Sequence, residues 1–426
     1  MGWDSSAFRA VPFLFQGAKR MQTNIDYKEA RELLLGRVTP VGTERVPLGT
    51  ERLVGAVLAE DVAAAEDVPP FDRSPYDGYA FRAADTAGAD REHPVTLRIL
   101  EEIPAGSVWT QHVVSGTAAK ILTGAPIPPG ADAVTKYEET EFTADAVTVF
   151  TAFSSGENVV PRGEDVTAGD RLAGKGTVID PALLGVLAAQ HRAEPLVYRT
   201  PTVAVITTGS ELASLDEPLT GGRIVNTNIF TFRAEAERCG CRCVTRTVSD
   251  DPDEIAQAIR EALESCDMVI TTGGVSVGDY DYTPDAMERA GVELLVRTLF
   301  LKPGGASAYG VKDGRLVCGL SGNPASALTN YYAVVLPALR KLRGMANPRL
   351  TELTVTLAED FGKKSPKTRL IRGTLDLADG TAKMHVSHAQ GNGVLHSLVG
   401  CDLLAEIPAG SGRLPAGTKL TAYLIP

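Results

Sequence analysis

Short apolar runs alternate with amphipathic segments between residues 201 and 342. Buried strands are predicted by the runs PTVAVITTGS, CRCVTRTVS, DMVITTGG, ELLVRTLFL and RLVCGLSGNP, most of which end in a glycine turn or in polar residues. Helices are predicted by NTNIFTFRAEAERCG, DDPDEIAQAIREALESC, TPDAMERAG and the segment 324–342. This alternation predicts a doubly wound parallel sheet that is covered by helices on both faces.

Particular residues mark where two of these helices begin and end. Asn226 or Asn228 can cap the first helix, and Gly240 closes it. Asp251 is the expected N-cap of the second helix, with Glu254 three residues later completing a capping box. These signals support the helix assignments independently of the apolar spacing.

The rest of the chain shows other patterns of apolar and polar residues. Residues 23–63 begin as an amphipathic helix, and residues 183–189 resemble a second helix. Between them, valine and threonine alternate among turn clusters over residues 71–165, which predicts β structure. After Asn347, five short strands separated by glycine and proline turns predict a small β domain or barrel.

These patterns predict an α/β multidomain protein, because 426 residues are too many for one ordinary core. The expected parts are a doubly wound domain, a split helical domain, an inserted β domain and a C-terminal β barrel-like domain. The predicted divisions are a loose N-terminal extension at 1–20, the split helical domain at 21–65 and 166–198, the inserted β domain at 66–165, the doubly wound domain at 199–346 and the C-terminal β domain at 347–426.

Composition narrows the environment and the partners. Hydrophobic residues make up 44% of the chain and charged residues 22%, as in ordinary globular proteins. No apolar run approaches the roughly 18 residues that span a bilayer, so we expect a soluble protein without a membrane partner. The net charge of −11 argues against a nucleic-acid surface. Six cysteines in so long a chain are expected to stay reduced in the cytoplasm.

Glycines and carboxylates follow the predicted strands, at the edge where ligands bind in doubly wound sheets. Glu211 follows the first strand, Asp250 the second, and Gly273, Gly274 and Asp281 the third. The fourth such loop, SGNP, opens a helix whose unpaired N–H groups suit a phosphate. Together they predict a site for a phosphorylated ligand with Mg²⁺. The alternative is that the glycines only form turns and the acids only cap helices.

Other nucleotide and hydrolase signatures are missing from the sequence. There is no GxGxxG after a strand and no GxxxxGK[ST], so neither dinucleotide binding nor a P-loop NTPase is supported. A GxSxG nucleophile elbow is missing as well. A phosphate site of another kind is therefore expected.

Six motifs together resemble those of the molybdopterin molybdenumtransferases, a family that includes the C-terminal domain of gephyrin. In chain order they are SPYDGYAFR at 74–82, ILTGAPIPPGADAV at 121–134, RGEDV at 162–166, TTGSEL at 207–212, TTGGVSVGDYDYT at 271–283 and SGNPAS at 321–326. The resemblance runs from about residue 23 to the C-terminus. It implies a doubly wound domain of the molybdopterin-binding type and Mg²⁺-dependent insertion of molybdate into adenylylated molybdopterin, with release of AMP. It also implies a homodimer with an interdomain cleft, and contact with the upstream adenylyltransferase.

The resemblance assigns roles to individual residues. The catalytic residues it implies are Asp77, Thr123, Asp165, Glu211, Asp250 and Asp281, of which Glu211, Asp250 and Asp281 would hold the metal. The ligand-binding residues it implies are Gly209, Gly273, Gly274, Ser276, Lys302, Gly322, Asn323, Arg372 and Ser397. Simpler roles compete in the first half of the chain: Asp77 could form a turn with Gly78, Thr123 could begin a proline-rich turn, and Asp165 could cap a turn.

The sequence departs from the family pattern at several positions, including Arg73, Pro75 and Tyr76 before DGYA, and two of the departures concern the expected anion pocket. Gly305 stands where the family usually has the lysine of PGKP, and Ser321 stands where it has the first proline of GLPGNP. Both lie in the expected anion pocket. These departures leave open the use of tungstate and a molybdopterin-binding paralogue without catalytic activity. A separate alternative is adenylyl transfer one step earlier in the pathway, because the fold of that enzyme resembles the doubly wound domain alone.

Overall fold

The computed structural model describes residues 21–276 and 282–426, so the expected extension 1–20 and Asp281 lie outside the described residues. The α-helices are α1 (Tyr27–Arg37), α2 (Pro181–Ala189), α3 (Thr227–Arg238), α4 (Pro252–Ser265), α5 (Thr283–Arg289), α6 (Pro324–Asn330) and α7 (Leu336–Leu342). A π-helical segment, Tyr331–Val335, joins α6 to α7, so the predicted closing helix is continuous. Turns of 3₁₀-helix lie at Ala83–Thr86, Tyr137–Glu139 and Leu395–Leu398. No described helix is long and apolar enough to cross a membrane.

The strands are mostly short. In the first half of the chain they are β1 (Gln22–Ile25), β2 (Thr43–Arg45), β3 (Val62–Ala63), β4 (Gly78–Phe81), β5 (Val95–Ile103), β6 (Thr117–Ile121), β7 (Ala133–Lys136), β8 (Thr140–Phe142), β9 (Ala146–Val149), β10 (Arg171–Ala173) and β11 (Leu196–Tyr198). In the second half they are β12 (Thr202–Thr208), β13 (Leu212–Ala213), β14 (Ile224–Val225), β15 (Arg242–Val248), β16 (Met268–Thr272), β17 (Glu293–Leu299), β18 (Leu301–Lys302), β19 (Ser307–Lys312), β20 (Arg315–Leu320), β21 (Glu352–Leu357), β22 (Thr368–Asp376), β23 (Lys383–Val386), β24 (Leu403–Ile407) and β25 (Lys419–Leu424).

The described chain forms two compact units. The first contains residues 21–44, 55–59, 196–276 and 282–426, and the second contains residues 45–54 and 60–195. The second unit is built on a six-stranded sheet in the order β7-β4-β6-β5-β9-β8. Helix α1 belongs to the first unit and helix α2 to the second. The finer division into domains stays a prediction.

A seven-stranded sheet in the order β1-β17-β19-β20-β16-β12-β15 forms the centre of the first unit. Strands β20, β16, β12 and β15 are parallel, which confirms the doubly wound class. The predicted parallel sheet has one exception, β19, a strand that is not among those predicted from the sequence and that pairs antiparallel with both β17 and β20. Asp313 and Gly314, both with positive φ, form the tight turn between β19 and β20. An Asp-Gly pair is a strong hairpin signal, and sequence reasoning overlooked it.

Both faces of this sheet are buried, as the alternation of side chains along β12 illustrates. Val203 and Val205 join a core with α1, α3 and the 324–342 helix, whereas Ala204 and Ile206 join a core with α4 and α5. A strand that is buried on both faces reads as a continuous apolar run, because successive side chains point to opposite faces.

The C-terminal strands close into a barrel. Strands β22, β23, β21, β25 and β24 pair in that order, and β24 pairs back with β22, which confirms the five predicted strands. Helix α1 is tied to this barrel by the buried hydroxyl of Tyr27, which donates a hydrogen bond to the Glu406 carboxylate and lies 3.0 Å from the Tyr423 hydroxyl. The barrel and the doubly wound sheet therefore belong to one packed unit.

The capping predictions hold with one correction. Asn226 caps α3, and the Asp251 carboxylate accepts from the backbone N–H groups of Asp253 and Glu254 at the start of α4. The capping box does not form, because the Glu254 carboxylate accepts from the Ser249 hydroxyl instead of from the Asp251 backbone.

Asp267, at the start of β16, provides a test of the fold. Arg199 donates two hydrogen bonds to its carboxylate, and the Thr202 backbone N–H donates a third at 2.8 Å. Burial acts to raise the pKa of Asp267, but these hydrogen bonds outweigh burial and the pKa is lowered overall. A lowered carboxyl pKa stabilises the fold above the unfolded-state pKa of about 3.9, and this contribution disappears as the pH falls through the folded-state value.

We expect Asp267→Asn to lower the free energy of unfolding by about 1–3 kcal/mol at pH 7, since it removes the carboxylate charge from Arg199. The difference in Tm between the two proteins should narrow as the pH falls below about 4. Thermal melts of the wild type, of Asp267→Asn and of the exposed control Asp216→Asn check this. Equal melting temperatures of the wild type and Asp267→Asn at pH 7 would contradict it.

Candidate functional site

A cleft of about 820 Å³ opens at the carboxyl ends of β12, β16 and β20. It brings together seven residues expected at the site: Glu211, Asp250, Gly273, Gly274, Ser276, Gly322 and Asn323. Gly393, from the C-terminal β region, lines the same cleft. The predicted grouping of the rim loops around one cavity therefore agrees with the geometry of the first unit.

Backbone conformation explains the glycines after β16. Gly273 has a φ of +108°, and a Cβ there would lie 2.4 Å from the Thr208 carbonyl oxygen. Gly274 has a φ of +59°, and a Cβ there would lie 2.8 Å from the Thr283 hydroxyl. Only glycine fits this positive-φ pair without collision, so the loop can pass close to β12. A side chain at either position would force the loop or its neighbours Thr208 and Thr283 to move.

Two carboxylates face the cleft. Asp250 accepts a hydrogen bond of 2.9 Å from the Ser210 backbone N–H, which orients it, whereas Glu211 is exposed. The Glu211 carboxylate lies against the α-carbon of Gly209, where a Cβ would be 2.6 Å from one carboxylate oxygen. Gly209 itself lines a neighbouring cleft of about 700 Å³ instead of this one.

These carboxylates fit the implied Mg²⁺. Carboxylate oxygens are hard donors, and Mg²⁺ usually takes one or two of them together with water and substrate phosphates. Within residues 21–276 and 282–426, no group of three acidic, histidine or cysteine side chains is arranged to hold a metal. The third expected ligand, Asp281, lies outside the described residues.

The departures from the family pattern have local structural consequences. Ser321 is buried and lines the cleft, and its hydroxyl accepts from the Asn323 backbone N–H at 3.2 Å. The serine therefore holds the turn that a proline would otherwise stiffen. A Cβ at Gly305 would lie 2.7 Å from the Leu301 carbonyl oxygen, so this backbone has no room for the family's usual lysine.

Asn228 is a site residue that sequence reasoning considered only as a helix cap. It is buried in the first turn of α3, and its Nδ2 donates to the Gly322 carbonyl at 2.9 Å and to the Thr272 hydroxyl at 3.3 Å. Its Oδ1 is buried without a hydrogen-bond partner among the described residues. A helix has one N-cap residue, and in α3 it is Asn226. The second asparagine of the pair is therefore not needed as a cap, and this was the sequence signal that Asn228 has another role.

Arg372 is fully buried on β22, where its Nη2 donates to the Ala389 and Gly391 carbonyls. Its Nε and Nη1 have no hydrogen-bond partner among the described residues, and burial lowers the pKa of Arg372. The loop that it contacts continues to Asn392, whose carbonyl accepts from the Ser326 N–H in α6, and to Gly393 in the cleft. Arg372 therefore lies directly behind a loop that lines the cleft.

Ser397 and Lys302 are the last two expected ligand residues, and both lie in the first unit. The Ser397 hydroxyl donates to the Val394 carbonyl at 2.6 Å, which fixes the end of the loop that contacts Arg372. Lys302 is exposed, and its strand β18 pairs with Arg369 of β22. Neither residue lines the 820 Å³ cleft.

The remaining expected residues lie in the second unit. The Asp77 carboxylate accepts from the Thr123 backbone N–H at 2.7 Å and from the Thr123 hydroxyl at 2.8 Å, and these hydrogen bonds lower the pKa of Asp77. Asp165 is exposed on a loop, and its backbone N–H donates a hydrogen bond to the Val68 carbonyl. The structure therefore brings Asp77 and Thr123 into direct contact, and this pairing was not expected from the sequence.

The fold and the cleft define a multidomain α/β protein that has a ligand cleft at the carboxyl ends of a doubly wound sheet. The chain matches the MoeA N-terminal region (domains I and II) over residues 25–190, a probable molybdopterin-binding domain over 204–341 and the MoeA C-terminal region (domain IV) over 354–425. The chain therefore belongs to the MoeA family.

Relatives and solved structures agree with this membership. A molybdopterin molybdenumtransferase of Staphylococcus aureus is 38% identical over 94% of this chain and 95% of its own length. The Staphylococcus epidermidis molybdopterin molybdenumtransferase is 34% identical over 95% and 96% respectively. The crystal structure of a molybdopterin biosynthesis MoeA protein from Pyrococcus horikoshii superimposes with a TM-score of 0.80 at 32% identity, covering 94% of this chain and all of that one.

The Asp77–Thr123 contact provides a test of the site. We expect Thr123→Val to raise the pKa of Asp77 towards its ordinary value, because the hydroxyl donor is lost, whereas Thr123→Ser should leave it unchanged. Carbon-13 NMR titration of the aspartate carboxyl groups measures both. Identical titration of Asp77 in Thr123→Val and the wild type would refute the hydroxyl contact.

Proposed function

We propose that the protein inserts molybdate into adenylylated molybdopterin and releases AMP in a Mg²⁺-dependent reaction. The protein is a transferase of molybdenum cofactor biosynthesis, and its family relatives are molybdopterin molybdenumtransferases. The proposal has five finer parts: the requirement for Mg²⁺, the release of AMP, a homodimer, a cytoplasmic location and contact with the upstream adenylyltransferase.

The observation that carries the proposal is the unpaired buried charge of Arg372. An arginine stays protonated in a protein, and a buried charge without a partner is costly. Nε and Nη1 of Arg372 have no acceptor among the described residues, and no carboxylate among those residues forms an ion pair with it. A small dianionic oxyanion such as molybdate supplies both the missing acceptors and the missing charge.

Each group of residues has a role in this reaction. Glu211 and Asp250, with Asp281, would hold Mg²⁺, which when bound offsets the charge of the substrate phosphate. Gly273 and Gly274 let the loop after β16 approach a phosphorylated ligand closely. The dithiolene sulfurs of molybdopterin accept the molybdenum, so the protein needs no covalent nucleophile and acts by orienting two anions.

Asp77, Thr123 and Asp165 are the part of the proposal that rests most on the family motifs. The Thr123 hydrogen bonds stabilise the charged form of Asp77 and lower its pKa, so its carboxylate, which is ionised at neutral pH, stays ionised in more acidic solution as well. An ionised carboxylate on an exposed loop suits the binding of a hydrated cation.

A first test concerns turnover and the metal. Purified protein with adenylylated molybdopterin, molybdate and Mg²⁺ should release AMP, and Asp250→Asn should lower kcat by about 100-fold while Asp216→Asn leaves it unchanged. AMP release measured by chromatography decides this.

Three other outcomes would replace the proposal. Consumption of ATP with free molybdopterin would indicate the adenylyltransferase. Tight molybdopterin binding without AMP release would indicate a binding protein. Faster turnover with tungstate than with molybdate would change the substrate.

A second test concerns Arg372. We expect Arg372→Met to raise the KM for molybdate by about tenfold or more, because hydrogen bonds to charged groups contribute about 1.5–3 kcal/mol. The same change should keep or raise Tm, since it removes a buried charge that lacks a partner. A lowered Tm with an unchanged KM for molybdate would instead indicate a purely structural arginine.

A further inference from the structure

The segment 361–372, FGKKSPKTRLIR, is strongly basic in an acidic protein. It contains five cationic side chains and no acidic one, although the whole chain has a net charge of −11. Arg372 at its end is the buried arginine described above. The other cations of the segment are Lys363, Lys364, Lys367 and Arg369.

The fold adds one more cation to this segment. Strand β18 pairs with the start of β22, so that Leu301 lies opposite Thr368 and Lys302 lies opposite Arg369. Lys302, Lys363 and Lys364 are exposed, and the Lys367 ammonium lies 5.6 Å from the centre of the Phe300 ring. We call Lys302, Lys363, Lys364 and Lys367 the basic strip.

No member of the basic strip forms an ion pair with a carboxylate of the described residues, whereas Lys120, Lys136 and Lys383 each have one nearby. Arg369 lies beneath the strip, where its Nε donates to the Ser365 hydroxyl at 3.3 Å, and burial lowers its pKa. A local accumulation of positive charge attracts anions and raises their concentration near the surface.

The strip lies within electrostatic reach of Arg372. Lys367 and Arg372 are five residues apart on one segment, mostly within β22, which is about 17 Å of extended chain. The Debye length is about 30 Å at 0.01 M salt and about 10 Å at 0.1 M salt. The field of the strip therefore extends to the Arg372 site at low ionic strength and is screened at high ionic strength.

We propose that the basic strip guides small oxyanions, molybdate in particular, to the buried arginine. This inference rests on the proposed function of the Arg372 site. A protein with a charge of −11 repels a dianion over most of its surface, and a local positive strip reverses that repulsion along one approach. The exposed lysines of the strip act before binding, so they raise kcat/KM for molybdate without changing kcat.

The test compares two matched double charge reversals in the full-length protein. Lys363→Glu/Lys364→Glu alters the strip, and Arg242→Glu/Lys419→Glu alters two exposed cations elsewhere in the first unit by the same total charge. At 10 mM NaCl we expect the strip variant to lower kcat/KM for molybdate about threefold or more, with kcat and Tm unchanged. At 500 mM NaCl the difference should vanish, and the control variant should resemble the wild type throughout.

Molybdate binding measured by calorimetry at the same two salt concentrations gives a readout that does not need turnover. A weaker Kd for the strip variant only at low salt supports the proposal even if the wild type releases no AMP, a failure that would count against the proposed function alone. If the strip variant and the control variant lowered kcat/KM for molybdate equally, the proposal would be overturned, because the effect would then come from the net charge of the protein and not from the basic strip. A defect seen only when the upstream adenylyltransferase delivers the pterin, with free molybdate unaffected, would overturn it in favour of docking by an acidic protein.

Discussion

The site depends on three neighbouring parallel strands, β12, β16 and β20, that end at the same level of the sheet. Thr207 of β12 lies opposite Thr272 of β16, which lies opposite Leu320 of β20, so the loops that follow begin at one edge of the sheet. This parallel register places the loop that carries Glu211, the loop that carries Gly273 and Gly274, and the start of α6 side by side. The register is secured by burial of both faces of the sheet, because a slip of one residue would exchange the side chains between two different cores.

The site separates its charges along the first unit. Glu211 and Asp250 face the cleft at the end of the sheet, whereas Arg372 lies behind the loop 389–393, on the barrel strand β22. This arrangement suits a reaction between two anions, because one anion can be bound through a hard cation and the other directly by a guanidinium. The local backbone accommodates the departures at Ser321 and Gly305, since Ser321 supports its turn by a hydrogen bond and Gly305 leaves room for a close carbonyl.

Glycine positions show how far local reasoning extends. The glycines after β16 were expected to allow close backbone approach, and their positive φ values agree with this. Gly209 was expected to contact the ligand as well, but its α-carbon lies against the Glu211 carboxylate and lines the neighbouring cleft. A sequence motif indicates that a loop turns tightly, but the side to which it turns depends on the strands that flank it.

The sequence alone determined the doubly wound class, the five barrel strands, the caps of α3 and α4 and the gathering of the rim loops, because each depends on local periodicity or on strand direction. Only the tertiary structure decided the hydrogen bonds that the Asn228 amide donates to Thr272 and Gly322, the hydrogen bonds between Thr123 and Asp77, and the lack of an acceptor for Nε and Nη1 of Arg372 among the described residues. These features depend on which atoms surround a residue after distant segments pack together. Burial and partner distance are properties of that packing, and no local spacing of residue types encodes them.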